Sequence, residues 1–190
     1  DNGRITYDGP TGDLRLDRIE SLLPTAGGPD TFLTGNGDKH IIAGPGNDTA
    51  ASGTGDNILV GDNGVVDYDA EGRPLLVRNI APAVGGSDNL RSTDGTNIFI
   101  GSTGDDAMYG GAYNDAMFGD GGQVTLSNGQ WNILETIHHF IGGDDWLDSG
   151  AGNDILMGGA GNEVFVADLA YDVMIDTYGR VILDPVTGRL

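Results

Sequence analysis

The sequence predicts an all-β chain in which blocks of a parallel solenoid are interrupted by β-hairpins. Three observations carry this. Glycine supplies 34 of 190 residues while hydrophobic residues make up only 38%. A nine-residue rhythm of glycine, acid and apolar residue runs through three stretches. Between those stretches lie segments of alternating hydrophobicity broken by turn residues.

The rhythm is strict. Turns close at Asp30, Lys39, Asp48 and Asn57, at Asp88, Asn97, Asp106 and Asp115, and at Asp145, Asp154 and Glu163, always nine apart within a stretch. Two residues before each stands a glycine, except Tyr113. Two residues after each stands an apolar residue: Phe32, Ile41, Ala50, Leu59, Leu90, Phe99, Met108, Met117, Leu147, Leu156 and Phe165. Six residues of each phrase make a turn, in which glycine permits left-handed backbone, and three make a short strand. Two phrases make one coil, so residues 18 apart stack. Strand alternation sends the central apolar residue inward and its neighbours outward.

A longer repeat encloses the short one. DNGRITY at 1–7 returns as DNGVVDY at 62–68 and DGGQVTL at 120–126. The units are 1–60 (hairpin 1–26, block 27–60), 61–118 (hairpin 61–84, block 85–118) and 119–167 (hairpin 119–141, block 142–167), with 168–190 a transition into a fourth. GRVILDPVTGRL at 179–190 aligns with residues 3–14, which predicts a window of a longer tandem array. Each hairpin has an outgoing strand (RITY, QVTL), a turn signal (DGPTGD at 8–13, AEGR, SNGQ) and a return strand (LRLDRI, PLLVRNI, WNILETI), with Asn128-Gly129 the best hairpin signal.

The nonapeptide resembles the RTX calcium-binding repeat, G-G-x-G-x-D-x-U-x with U a large apolar residue, over about half the chain. The resemblance implies an RTX-like parallel β-roll or β-helix and several Ca2+ ions, each shared by turns 18 residues apart. The implied ligands are Asp30 with Asp48, Asp88 with Asp106, Asn97 with Asp115, and Asp145 with Glu163, together with Asp154. Backbone carbonyls near Gly28, Gly46, Gly86, Gly104, Gly143 and Gly161 complete the set. Asp172 could partner Asp154, but its turn lacks glycines, and Lys39 with Asn57 argues against an ion, its ammonium standing in for one. These two positions are expected to keep the shape without metal.

Composition agrees. The formal net charge is −20, from 29 acids against 9 lysines and arginines, which selects cations as partners and excludes nucleic acid and anionic membranes. There is no cysteine, hence no disulfide and no thiolate site. No run reaches the ~18 apolar residues of a membrane span, so membrane insertion is not expected. DNGRITY shows no signal peptide. Without calcium the stacked acids repel and the small core cannot offset glycine entropy, so folding is expected to follow ion binding.

Catalytic motifs are missing: there is no G-x-S-x-G, no H-E-x-x-H and no phosphate-binding loop. His40, His138 and His139 are read as structural or surface residues. DYDAEG at 67–72 begins like an EF-hand loop, but Arg78 stands where the bidentate Glu belongs. Ice binding lacks its outward Thr ladder, since the turn residues Asn36, Pro45, Thr54, Thr103 and Ala151 vary.

The outward strand positions carry many apolar residues: Ile58, Val60, Ile98, Ile100, Tyr109, Phe118, Trp146, Ile155, Met157, Val164 and Val166. The hairpins are the expected cover, with a neighbouring chain as the alternative. The expected function is a non-enzymatic, calcium-binding structural repeat of a larger secreted or cell-surface protein, bacterial and exported by a type I-like route. Adhesin, surface-layer, matrix or filament proteins are the expected kinds. Self-association is expected through the solenoid ends or the apolar outer face. The alternative is the calcium-dependent secretion and folding region of a secreted enzyme such as a protease or lipase.

Overall fold

The computed structural model describes residues 3–8, 15–138, 140–177 and 179–183. Most of the DGPTGD turn, His139 and the final residues 184–190 lie outside the described residues. In chain order, a hairpin of β1 (Gly3–Asp8) and β2 (Arg15–Ser21) leads into β3 (Thr31–Leu33), β4 (His40–Ile42), β5 (Thr49–Ala51) and β6 (Ile58–Val60). A second hairpin, β7 (Gly64–Tyr68) and β8 (Pro74–Asn79), leads into β9 (Asn89–Arg91), β10 (Ile98–Ile100), β11 (Ala107–Tyr109) and β12 (Ala116–Phe118). A third, β13 (Gly122–Ser127) and β14 (Gln130–Thr136), leads into β15 (Trp146–Asp148), β16 (Ile155–Met157), β17 (Val164–Val166), β18 (Val173–Ile175) and β19 (Arg180–Ile182). The described residues contain no helix, so none crosses a membrane as one.

The three-residue strands alternate between two parallel sheets, ordered β3-β5-β9-β11-β15-β17 and β4-β6-β10-β12-β16-β18. All eleven apolar residues picked out by the nine-residue rhythm meet between these sheets, from Phe32 and Ile41 to Leu156 and Phe165. The coils do not stop at the hairpins. Thr49 pairs with Asn89 and Ile58 with Ile98, each 40 residues on, while Ala107 pairs with Trp146 and Ala116 with Ile155, each 39 on. The blocks read separately from the sequence are therefore stacked into one solenoid, and each hairpin is an excursion from a single turn.

The hairpin strands form a third, antiparallel sheet, β1-β2-β7-β8-β13-β14-β19. It lies on the outer face of the sheet containing β6, β10, β12 and β16, with Val66, Val77, Val124 and Leu134 packed against Ile58, Ile100, Phe118 and Met157. The ~58-residue period follows from strand spacing. Each period adds two strands to every one of the three sheets, and strands in all of them repeat at about 4.8 Å, so the layers advance in step. Asn128 and Gly129 both have positive φ, 54° and 77°, as a tight two-residue hairpin turn requires.

The cover is one-sided. Ile58, Val60, Ile98, Ile100, Phe118, Ile155 and Met157 are buried under the hairpins. Tyr109 and Trp146, on the other parallel sheet, remain 39% and 42% exposed, and Val164 is exposed beside them.

Candidate metal centre

The solenoid has two edges, and the nine-residue rhythm places its closing residues on them alternately. The edge from which the hairpins emerge carries Asp30, Asp48, Asp88, Asp106, Asp145 and Glu163. The opposite edge carries Lys39, Asn57, Asn97, Asp115, Asp154 and Asp172.

On each edge one side-chain oxygen binds the backbone of the coil before it. Oδ1 of Asp48 accepts from the Asp30 N–H at 2.6 Å, Oδ1 of Asp88 from Asp48 at 2.7 Å, Oδ1 of Asp106 from Asp88 at 2.7 Å and Oδ1 of Asp145 from Asp106 at 2.8 Å. Opposite, the same bond runs from Lys39 to Asn57, Asn57 to Asn97, Asn97 to Asp115, Asp115 to Asp154 and Asp154 to Asp172. The expected partners 18 residues apart are thus adjacent for Asp30 with Asp48, Asp88 with Asp106 and Asn97 with Asp115, while Asp145 and Glu163 are brought together by strand pairing alone, through the Val164 N–H on the Asp145 carbonyl; the hairpins add steps of 39 and 40 that the spacing alone did not give.

The second oxygen behaves differently. Oδ2 of Asp30, Asp48, Asp88, Asp106, Asp115, Asp145 and Asp154 is buried with no hydrogen-bond partner, as are both carboxylate oxygens of Glu163. Eight of the nine side chains expected as ligands are in this set. A buried anionic oxygen without a donor is costly and calls for a cation. Burial pushes the carboxyls of Asp88, Asp115 and Asp145 up to about 8 and that of Glu163 up to about 7. Asp106 is raised well above the carboxylate range by burial and then by Asp88 and Asp145.

Among the described residues no three acidic or histidine side chains gather at one point. The closing acids come one per coil on each edge, so an ion between coils has to draw further oxygens from the turns. Lys39 indicates which. Its ammonium occupies the closing position of a turn and donates to the carbonyls of Asn36 at 2.8 Å and Gly37 at 2.6 Å. Asn57 and Asn97 send their amides to the equivalent glycine carbonyls, Gly55 at 2.6 Å and Gly95 at 2.8 Å. These glycine carbonyls therefore accept from an N–H donor, charged in Lys39 and neutral in Asn57 and Asn97, wherever the closing residue can provide one. Asn97 is the exception among the expected ligands: its oxygen accepts from Asn57 and its amide donates to Gly95 and Asp115, so the side chain is fully engaged.

Glycine at these turns is required by contact as well as by φ. Gly104 has φ +114° and sits with its Cα against the Gly86 carbonyl, where a Cβ would collide; Gly143 and Gly161 repeat the contact one coil further each time.

A family model described as the RTX calcium-binding nonapeptide repeat (4 copies) matches residues 33–65, 84–116, 91–126 and 141–174, more than half of the chain. The chain belongs to the RTX calcium-binding nonapeptide repeat family. A comparison with curated proteins found no match. The RTX assignment accounts for the glycine–acid rhythm and for calcium as the ion such repeats bind, and the donor set fits it. Carboxylate and carbonyl oxygens are the ligands that calcium prefers, and the chain offers no thiolate to compete with them.

Sequence reasoning about the RTX turns missed two features. Asp62 and Asp120, at the hairpin bases, are buried. Asp62 accepts from the N–H groups of Gly86 at 3.0 Å and Thr103 at 3.1 Å, and Asp120 from Gly143 at 3.0 Å and from Ala160, so each fastens a hairpin to two successive coils. The signal was present, since both open the repeated DNG and DGG. The residue before each closing position forms an outer polar ladder: Asp38 accepts from Asp56, Asn47 from Ser87, Asp105 from Asp144, Asn114 from Asn153 and Asp144 from Asn162. Its mark in the sequence is Asn, Asp or Ser at nearly every such position.

The remaining candidates are structural. Asp69 spends its carboxylate on the N–H groups of Glu71 and Arg73 and on the Arg73 guanidinium, closing the second hairpin turn, so the EF-hand-like stretch is not an ion site. His40 ties β4 to the hairpin sheet through the Tyr68 hydroxyl at 2.5 Å, and burial lowers its pKa.

Proposed function

We propose that this chain is a calcium-stabilised structural repeat of a larger secreted or cell-surface protein, of the adhesin, surface-layer, matrix or filament kind, and that it folds as calcium binds. The observation that carries this is the row of buried, partnerless carboxylate oxygens on the repeat's own acids. Asp30, Asp48, Asp88, Asp106, Asp145 and Glu163 would hold ions along the hairpin edge, with carbonyls near Gly28, Gly46, Gly86, Gly104, Gly143 and Gly161. Asp115 and Asp154 would do so on the opposite edge, while Lys39, Asn57 and Asn97 keep their coils closed without one.

The ion's contribution is charge neutralisation. With a formal charge of −20, the stacked carboxylates oppose compaction until a cation joins them. Binding free energy then becomes folding free energy. In a secreted protein this is a switch, unfolded at low cytosolic calcium and folded outside. Circular dichroism of the chain in excess chelator, followed by titration to millimolar calcium with calorimetry alongside, tests it. A large gain of strand signal is expected; the same folded spectrum in chelator and in calcium would overturn the proposal.

A further inference from the structure

We infer that the uncovered parallel sheet, β3-β5-β9-β11-β15-β17, is a docking face for an extended, uncharged polysaccharide, with Tyr109 and Trp146 as its stacking platforms. The hairpins cover the other parallel sheet and leave this one open. Strand alternation turns the first and third residues of its six strands outward, twelve positions in all. Only two of the twelve are charged, Arg91 and Asp148, and their signs cancel. A chain of formal charge −20 therefore keeps one whole face neutral.

Two rows of side chains cross the middle of the face. In one, Tyr109 stands between Arg91 and Asp148. In the other, Trp146 stands between Ala107 and Val164. The small Ala107 leaves the indole open on its side, and both rings are exposed. They are diagonal neighbours on adjacent strands, and strand spacing and rise set their Cα atoms about 8 Å apart. Two sugar rings of one chain can therefore each lay a C–H face on an aromatic plate. Among the described residues neither Arg91 nor Asp148 enters an ion pair. A donor and an acceptor thus flank Tyr109, free for sugar hydroxyls, and Asn89 beside Ala107 adds an amide.

Charge selects this ligand over the others. The turns that border the face carry exposed acids, among them Asp38, Asp56, Asp105 and Asp144. Polyanions are repelled, and so is a second copy of the same −20 chain. A basic segment would seek those edges rather than the neutral strip between them. An uncharged sugar ribbon offers hydroxyls along its rims and apolar C–H surfaces on its flat sides, which is what exposed Trp and Tyr among polar groups accept.

The inference rests on the calcium-stabilised repeat reading, since the face exists only in the folded coil, so calcium-induced dichroism is followed in the same samples. The calcium-loaded chain is run through native gels containing hydroxyethylcellulose or galactomannan, both uncharged, or carboxymethylcellulose, their anionic counterpart. Retardation is expected in the two neutral gels and not in the anionic one. Trp146→Ala and Tyr109→Ala are each expected to weaken retention about tenfold. Trp146→Tyr should keep most of it, and Leu75→Ala, at an exposed position of the hairpin sheet, all of it. Calcium-folded chains that run freely in both neutral gels, or retention that survives loss of both rings, would overturn the docking face and leave the calcium reading standing. So would sedimentation velocity that shows, in place of retention, a dimer dissolved by Trp146→Ala, because the face would then seat a second copy. The same folded spectrum in chelator and in calcium, with retention intact, would overturn the calcium reading alone. A chain that neither folds with calcium nor is retained would sink both.

Discussion

The backbone N–H of Asp48 donates to Oδ1 of Asp88 at 2.7 Å although 40 residues separate them. An ordinary coil separates ladder partners by 18; the other 22 residues, 63–84, leave and re-enter at the same turn. The hairpin is thus transparent to the acid ladder, and under the proposed function Asp88 has two duties, with Oδ1 holding the coil and Oδ2, buried without a partner, left for a cation.

Asp88→Asn separates those duties. The amide oxygen can still accept from Asp48, and its N–H2 group can reach the Gly86 carbonyl as Asn57 reaches Gly55. The charge and the free oxygen are lost. In calcium the variant is expected to need about tenfold more ion to fold, a shift of about 1.4 kcal/mol. In chelator it is expected to be more stable than the parent, because a buried anion has gone. Paired calcium titrations and urea melts check both signs.

Asp62→Ala should free the second hairpin. It removes the acceptor of two turn N–H groups, on Gly86 and Thr103. Leaving such groups without a partner costs about 2 kcal/mol. Amide exchange is expected to accelerate at those two residues and along β7 and β8, with the opposite edge unchanged. Uniform exchange across the chain would mean that Asp62 only contributes to global stability.

Much of this was legible in the sequence because nine-residue phrasing fixes side-chain direction: every central apolar residue, from Phe32 to Phe165, reached the core. The hairpins announced themselves through Asn128-Gly129 and their alternating strands. Two things were hidden. Stacking of Asp88 on Asp48 depends on where the hairpin returns the chain, which no local pattern records. That the hairpins cover one parallel sheet and leave the other open is not visible while the outward positions are taken together. Sorted by coil, the flanks of one sheet are nearly all apolar, as in Ile98, Ile100, Phe118 and Met157. Those of the other mix Asn89, Arg91 and Asp148 with Tyr109 and Trp146. A surface that must meet a second sheet has to be uniformly apolar, and one that meets water does not.

Lys39→Asp with Asn57→Asp should add a metal-binding step where the proposed function has none. The lysine now neutralises the Asn36 and Gly37 carbonyls, and Asn57 serves Gly55. Replacing both restores the acid pair found at Asp88 and Asp106. Calorimetry is expected to count more bound calcium than in the parent, and the fold in chelator should weaken. Unchanged stoichiometry with an intact calcium-loaded fold would show that these turns do not admit an ion.

The pH dependence should reverse sign with calcium. Without the ion, burial raises Asp62, Asp88, Asp115 and Asp145 to about 8 and Asp120 and Glu163 to about 7. In the unfolded chain such carboxyls titrate near 4. Between those values the folded state binds more protons, so acid favours it. The contribution is complete below about pH 4 and is lost as pH rises through 7 to 8. In chelator the thermal midpoint is therefore expected to fall from pH 5 to pH 8.5. With calcium present the ion requires the ionised form, and protons compete with it. The midpoint calcium concentration should then drop over the same rise in pH, while the loaded fold gains stability. Melts at three pH values, with and without calcium, give both slopes. Parallel slopes would show that these carboxylates do not take the ion.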